Sequence, residues 1–176
     1  LTEDFESVEF GVFSRSCWVT GTTLLGTDYP NPYVVSLTGD PNKLCLIYNG
    51  GYLILPQVAA PLNQLQVRFK FVQGGDNVHF LMGLMPSQDM PIDSMIVLDA
   101  LVRSEIDTVS STVFITYSLA NIDPEYNNYH IAFWDAFNEN YSFIDDLVVE
   151  YIPECDPVDG LAATATANSV DISWNA

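Results

Sequence analysis

Apolar and polar residues alternate along most of the chain, which is the pattern of β-strands buried on one face only. The segment LQVRFKFVQ shows it most clearly, because every second residue from Leu65 to Phe71 is apolar. No segment has the period of a long amphipathic helix. Comparable alternating runs are PYVVSL, KLCLIYN, GYLILPQV, NVHFLMGLM, SMIVLDAL, STVFITYSL, YHIAFWDA and SFIDDLVVEYI.

Turn signals separate these runs, among them TGDPN, NGG, QGGDN and NIDPEYNN. Short strands at regular spacing without intervening helices predict a β-sandwich or a barrel. Of these we favour an all-β jelly-roll sandwich. The segment around Asn49 and Gly51 predicts a β-hairpin, because Asn-Gly supplies the positive φ angles that a tight turn requires.

The composition changes after residue 154, where Pro157 and Gly160 indicate a linker. We therefore expect one domain over residues 1–154, and a linker with the start of a second module over residues 155–176. The alternating SVDISW that follows resembles the opening strands of a fibronectin type III module. The positions that carry this likeness are Pro157, Leu161, Val170, Ile172 and Trp174.

The chain is strongly acidic, with 5 basic and 23 acidic residues and a formal net charge of −18. The negative electrostatic field of such a chain disfavours binding to nucleic acid and to anionic membranes. It is compatible with binding to cations and to neutral polar ligands. No apolar run reaches the roughly 20 residues of a membrane helix. The chain begins with Leu instead of Met, which suggests a mature or trimmed chain whose export signal, if it had one, has been removed.

The three cysteines, Cys17, Cys45 and Cys155, lack the CxxC spacing of a zinc site. One disulfide is open to an exported chain, but the sequence does not select the pair. Buried free thiols are an equal alternative.

Two adjacent carboxylates interrupt the run SFIDDLVV. In a regular strand Asp146 shares a face with Ile144, and Asp145 shares the other face with Leu147. At least one carboxylate therefore points to a face of large apolar residues, where it needs a hydrogen bond, an ion pair or a metal.

Together with the N-terminal segments EDFESVEFG and SCWVTG, this run resembles the framework of the MAM and cleaved-adhesin families. Phe5 and Glu6 match a Phe-Glu on the first strand, Trp18 matches a Trp beyond it, and SFIDDLVV matches the last strand. The resemblance spans residues 1 to about 155. It implies a jelly-roll sandwich of the concanavalin or galactose-binding type, with the first and last strands side by side.

The same resemblance implies a structural calcium ion. Its ligands would be Glu6, Asp145 and Asp146, with Asp28 as a further candidate from a loop, since calcium takes six to eight oxygen ligands. Asn31 and Asp40 are further loop candidates by residue type alone. The alternative is that one Asp accepts hydrogen bonds from backbone amides while the other is solvated.

An active site is not indicated. His79 and His130 lie in strand-like runs that favour structural roles, and no GxSxG, HExxH or glycine-rich phosphate loop is present. The alternating carboxylates Glu105 and Asp107 look like a loop edge, not the acid and base of a glycosidase. We therefore expect a protein that is not an enzyme, with a glycoside hydrolase as the less favoured alternative.

Binding is better supported. The segment DPEYNNYHIAFWDAFNENY combines aromatic rings, which stack on sugars, with side chains that hydrogen-bond hydroxyls. Each ring could instead be core, since Phe133 and Trp134 point to opposite faces of one strand. The candidate ligand-binding residues are Tyr126, Tyr129, Trp134 and Asn128.

The sequence thus predicts a noncatalytic adhesion or carbohydrate-binding module of an exported, bacterial cell-surface protein with several domains. Its partners would be a glycan or a protein of the host or cell surface, together with other domains of the same polypeptide. The alternative is a structural spacer beside an enzyme.

Overall fold

The computed structural model describes residues 1–23, 32–36, 42–73, 80–101, 112–136, 141–153, 162–165 and 170–173. Within these ranges the regular structure is strand, apart from three 3₁₀ turns at Leu62–Gln64, Ile92–Ser94 and Pro124–Tyr126. The described residues contain no helix long and apolar enough to cross a membrane. The strands are β1 (Thr2–Glu3), β2 (Gly11–Val12), β3 (Val19–Thr22), β4 (Tyr33–Ser36), β5 (Lys43–Tyr48), β6 (Gly51–Ile54), β7 (Leu65–Gln73), β8 (Phe80–Met85), β9 (Ile96–Leu101), β10 (Thr112–Ser118), β11 (His130–Asp135), β12 (Tyr141–Tyr151), β13 (Ala162–Ala165) and β14 (Val170–Ser173).

The strands form a β-sandwich of two antiparallel sheets, as the alternating pattern predicts. The larger sheet has the order β10-β7-β12-β5-β4-β2, with β1 paired to β12, and the smaller sheet has the order β3-β6-β11-β8-β9. All nine predicted runs contain a strand. The first and last strands of the sandwich are neighbours, since Glu3 of β1 lies opposite Leu147 of β12.

The core lies between the sheets and is rich in phenylalanine. Phe69 of the larger sheet packs edge-to-face on Phe133 of the smaller sheet, with ring centroids 5.1 Å apart. Phe80 stacks on both Phe133 and Phe71, at 5.8 Å and 5.2 Å. These four rings are at most 2% exposed, so they join the two sheets through buried apolar area.

The predicted hairpin around Asn49 is wrong in its pairing, although the turn itself is correct. Asn49 and Gly50 have φ angles of 51° and 74°, as a tight turn requires. However, β5 pairs with β4 and β12 in the larger sheet, while β6 pairs with β3 and β11 in the smaller one. The turn therefore carries the chain from one sheet to the other, which suits two arms with largely buried side chains.

The C-terminal strands β13 and β14 pair antiparallel with each other, from Ala162 opposite Ser173 to Ala165 opposite Val170. In the described part of the chain they pair with no strand of the two larger sheets. The division at residues 154 and 155, and the fibronectin-like nature of the tail, stay predictions.

Candidate functional site

A β-bulge explains how the adjacent carboxylates fit into β12. The register between β12 and β7 shifts between Asp145 and Val148, so that two residues of β12 lie opposite Phe69. Asp146 occupies the left-handed conformation, with φ of 48°, which Asp tolerates better than most residues. The predicted regular alternation is therefore wrong beyond Asp145, and Leu147 joins Ile144 in the core while neither carboxylate does.

The bulge lies where the neighbour of β12 changes. Residues 141–144 of β12 pair with β5, whereas Leu147 and Val148 pair with β1. Asp145 is 4% exposed, and its Oδ1 accepts a hydrogen bond of 2.8 Å from the Asp146 amide. This geometry agrees with one part of the alternative to a metal site given by the sequence, in which one Asp accepts a hydrogen bond from a backbone amide.

Lys70 of β7 faces both carboxylates from directly across the strand pair. Its Nζ lies 2.6 Å from Asp146 Oδ2 and 3.6 Å from Asp145 Oδ2. Burial raises the pKa of Asp145, and the amide of Asp146 and the charge of Lys70 only partly oppose this. The hydrogen bond to Asp146 is the largest cause that raises the pKa of Lys70.

The third predicted metal ligand, Glu6, lies beyond the end of β1 instead of on it. Its Oε1 accepts a hydrogen bond of 2.7 Å from the amide of Lys43, while Lys43 Nζ donates to the Glu6 carbonyl at 2.8 Å. Glu6 is still close enough for its charge to help raise the pKa of Asp145. The loop candidates Asp28, Asn31 and Asp40 lie outside the described residues.

These carboxylates do not fit a calcium ion as they stand. In the described ranges no group of three or more His, Cys, Asp or Glu side chains is placed to hold a metal. The oxygens of Glu6, Asp145 and Asp146 instead contact the ammonium group of Lys70 and backbone amides. Calcium stays a prediction from the resemblance, with Lys70 as its competitor.

Glu3 on β1 is a buried carboxylate that is not among the predicted site residues. Glu3 is 2% exposed, forms an ion pair with Arg15 and accepts a hydrogen bond of 2.8 Å from the Phe5 amide. The alternation of Glu3 with Leu1 and Phe5 was the available signal. This pair fixes the segment after β1, where Phe5 reaches the core with φ of 58°.

The predicted aromatic cluster is divided between two places. Tyr126 and Tyr129 lie before β11, with ring centroids 5.1 Å apart, and pack against the edge of the core. The backbone carbonyl of Asn128 accepts a hydrogen bond from Gln57, at 3.2 Å. Trp134 lies near the other end of β11, about 13 Å along the strand from its first residue, His130, at ~3.3 Å per residue. It packs against a second apolar cluster, separate from the core that contains Phe133.

Trp134 has a neighbour that the sequence reasoning did not single out. Tyr52 lies directly opposite it on β6, and Leu81 lies opposite it on β8. On its other side Tyr52 lies opposite Gly21 of β3, and its ring covers that glycine. A Cβ on Gly21 would lie 2.5 Å from Tyr52 Cζ, so a larger residue there would displace the ring.

Gly21, Tyr52, Trp134 and Leu81 thus form a continuous row across four strands, which we call the aromatic row. Alternate residues of these strands, among them Leu53, Phe133 and Met82, lie in the core. Because successive side chains point to opposite faces, the aromatic row lies on the outward face of the smaller sheet. Only knowledge of the strand register could have shown that Tyr52 and Trp134 are neighbours.

The two cysteines that the structure describes form neither a disulfide nor part of a metal-binding group. Cys17 is an exposed free thiol, and Cys45 is a fully buried one whose pKa is raised by burial. Cys155 lies outside the described residues. Pairing with Cys155 therefore stays an open part of the sequence prediction.

No protein-family model matches the chain, and no curated protein matches it significantly. Among solved structures it is similar to the K1 cleaved adhesin domain of Lys-gingipain from Porphyromonas gingivalis W83, with 15% identity and a TM-score of 0.51, over 87% of this chain and 98% of that domain. The K2 cleaved adhesin domain of Lys-gingipain matches with 16% identity and a TM-score of 0.51, over 84% of this chain and 95% of that domain.

A looser match to the carbohydrate-binding module CBM4 has 18% identity and a TM-score of 0.40, over 77% of this chain and 95% of that one. At their identities the two adhesin-domain matches show the fold alone. The chain therefore has the β-sandwich fold of the adhesin domains, which confirms the cleaved-adhesin part of the resemblance at the level of fold.

Proposed function

We propose that residues 1–154 form a noncatalytic adhesion or carbohydrate-binding module of an exported, bacterial cell-surface protein, and that its ligand binds over the aromatic row. The observation that carries the proposal is the adjacency of Tyr52 and Trp134 on an outward sheet face. The adhesin-like fold is consistent with it.

The aromatic row suits a ligand with apolar faces. Sugar rings present such faces, and tyrosine and tryptophan each combine a flat apolar body with a polar group at its edge. The Nε1–H of Trp134 is buried and has no hydrogen-bond partner in the structure. Because this donor is not accessible from the surface, a ligand on the aromatic row would contact the ring of Trp134 instead of its Nε1–H.

Charge narrows the ligand class further. With a formal net charge of −18, the protein repels acidic glycans and acidic proteins over long range. A neutral pyranoside is therefore favoured over a uronic acid or a sialylated chain.

Catalysis has little support in the described residues. His130 Nδ1 lies 3.0 Å from the Leu55 carbonyl oxygen, which makes its ring part of the strand framework. His79 lies outside the described residues. Asp145 and Asp146 both contact the ammonium group of Lys70, which makes them members of one ion-pair cluster. Glu105 and Asp107, the alternating carboxylates of the sequence, lie outside the described residues.

The test begins with a glycan array probed with the 176-residue chain. For the strongest neutral glycan, Trp134→Ala and Tyr52→Ala are each expected to weaken binding about tenfold, the equivalent of ~1.4 kcal/mol. Titration calorimetry measures the affinities. Phe114→Ala is the matched control, because Phe114 is an exposed aromatic residue on the other sheet, 75% accessible.

Two outcomes would count against the proposal. If Phe114→Ala weakens binding and Trp134→Ala does not, the ligand binds the other sheet. If the array is blank, the sugar ligand is ruled out, and the same three variants then test adhesion to cell-surface proteins. Thermal unfolding of each variant separates lost contacts from lost stability.

A further inference from the structure

The resemblance in the sequence predicts a metal ion bound by carboxylates of the first and last strands. In the structure two of these carboxylates, on β12, contact a side-chain cation from the neighbouring strand β7 instead. Lys70 Nζ lies 2.6 Å from Asp146 and 3.6 Å from Asp145, at a position directly opposite Asp145 in the register. We propose that Lys70 is the counter-ion of Asp145 and Asp146 at the bulge of β12, and that these carboxylates need no calcium ion for the domain to fold.

Burial makes a counter-ion necessary at this point. Asp145 is 4% exposed, and a buried carboxylate without compensation is costly. Its Oδ1 is used by the Asp146 amide, which leaves Oδ2 to face Lys70. The side chain of Lys70 is itself only 26% exposed, so water screens this attraction less than it would at the surface.

The bulge brings the second carboxylate to the same cation. Because Asp146 adopts the left-handed conformation, the chain gains one residue at the bulge and both carboxylates stay out of the core. Both then contact one ammonium group. A calcium ion at this position would have to displace Lys70 from both of them.

Two further contacts bear on this proposal, one at Lys70 and one at Glu6. The ring of Phe114 on β10 lies 5.8 Å from Lys70 Nζ, within the range of a cation–π interaction. Glu6, which the resemblance places among the metal ligands, is bound to the amide of Lys43. Two of the three predicted metal ligands that the structure describes thus contact Lys70, and the third, Glu6, accepts a hydrogen bond from a backbone amide.

The test is thermal unfolding of the chain in chelator, in roughly 5 mM calcium and in roughly 5 mM magnesium. The calcium concentration is chosen to exceed the ~1 mM dissociation constant of weak extracellular calcium sites. Magnesium is needed because any divalent cation screens a protein with a net charge of −18. For the native chain we expect equal midpoints in calcium and magnesium. A midpoint that rises with calcium alone would overturn the proposal, because a ligand specific to the folded state stabilises it.

Variants test the role of the charge itself. Lys70→Met is expected to lower the midpoint by several degrees, whereas Arg68→Met changes it little. Arg68 is the matched control, because it lies on the same strand and its ion pair with Glu150 is 51% and 38% exposed. Equal midpoints for Lys70→Met and the native chain would also overturn the proposal. If Lys70→Met does not fold, Lys70→Arg, which keeps the charge, should retain both the midpoint and the indifference to calcium.

Discussion

Phe133→Ala is expected to lower the free energy of unfolding by about 4 kcal/mol, the range for removing a fully buried phenylalanine. Phe133 is 0% exposed and lies between Phe80 and Phe69, at 5.8 Å and 5.1 Å. Its removal leaves a cavity where the two sheets meet. The sheets cannot collapse into it without losing the remaining ring contacts.

Urea unfolding at neutral pH measures the effect. Phe114→Ala is the control, since the same substitution at a side chain that is 75% exposed should cost about 1 kcal/mol or less, the range of an exposed cation–π contact such as the one with Lys70. A loss of less than 2 kcal/mol for Phe133→Ala would show that the sheets are not packed through this ring. Trp134→Ala should lie between the two, because Trp134 is only partly buried.

The strands could be predicted from the sequence because one physical rule places them. In LQVRFKFVQ, alternate residues from Leu65 to Phe71 are apolar, and in the structure all four are core residues of one strand. Which strands pair with one another could not be predicted in the same way. Asn49 and Gly50 supply a turn with positive φ in either case, and nothing local distinguishes a hairpin from a connection between sheets.

The candidate site shows the same limit. The segment around Trp134 predicts this residue as a candidate, but Tyr52 is 82 residues away in sequence and lies beside Trp134 only through the register of β6 and β11. The sequence also predicts that the charge of Asp145 or Asp146 needs a hydrogen bond, an ion pair or a metal. The compensating residue could not be found, because a bulge changes which side chains share a face, and Lys70 becomes their neighbour only after pairing.

Arg15→Met is expected to lower the free energy of unfolding by about 2 to 3 kcal/mol, because it leaves the buried carboxylate of Glu3 without its ion pair. The Glu3 side chain is 1% exposed, and its remaining partner is the Phe5 amide. The expected loss lies below the ~3 to 5 kcal/mol of a fully buried pair, since the Arg15 side chain is 41% exposed and water can replace part of it.

A second substitution separates charge from packing. Glu3→Gln removes the charge and retains an oxygen that can accept the hydrogen bond from the Phe5 amide. If the uncompensated charge causes the loss, the free energy of unfolding of the double variant Glu3→Gln with Arg15→Met should exceed that of Arg15→Met alone by at least about 1 kcal/mol. If the double variant is no more stable than Arg15→Met, the loss comes instead from the apolar stem of Arg15. In that case apolar packing holds the segment after β1, through the stem of Arg15 together with the edge-to-face contact of Phe5 and Phe13, whose centroids are 5.5 Å apart.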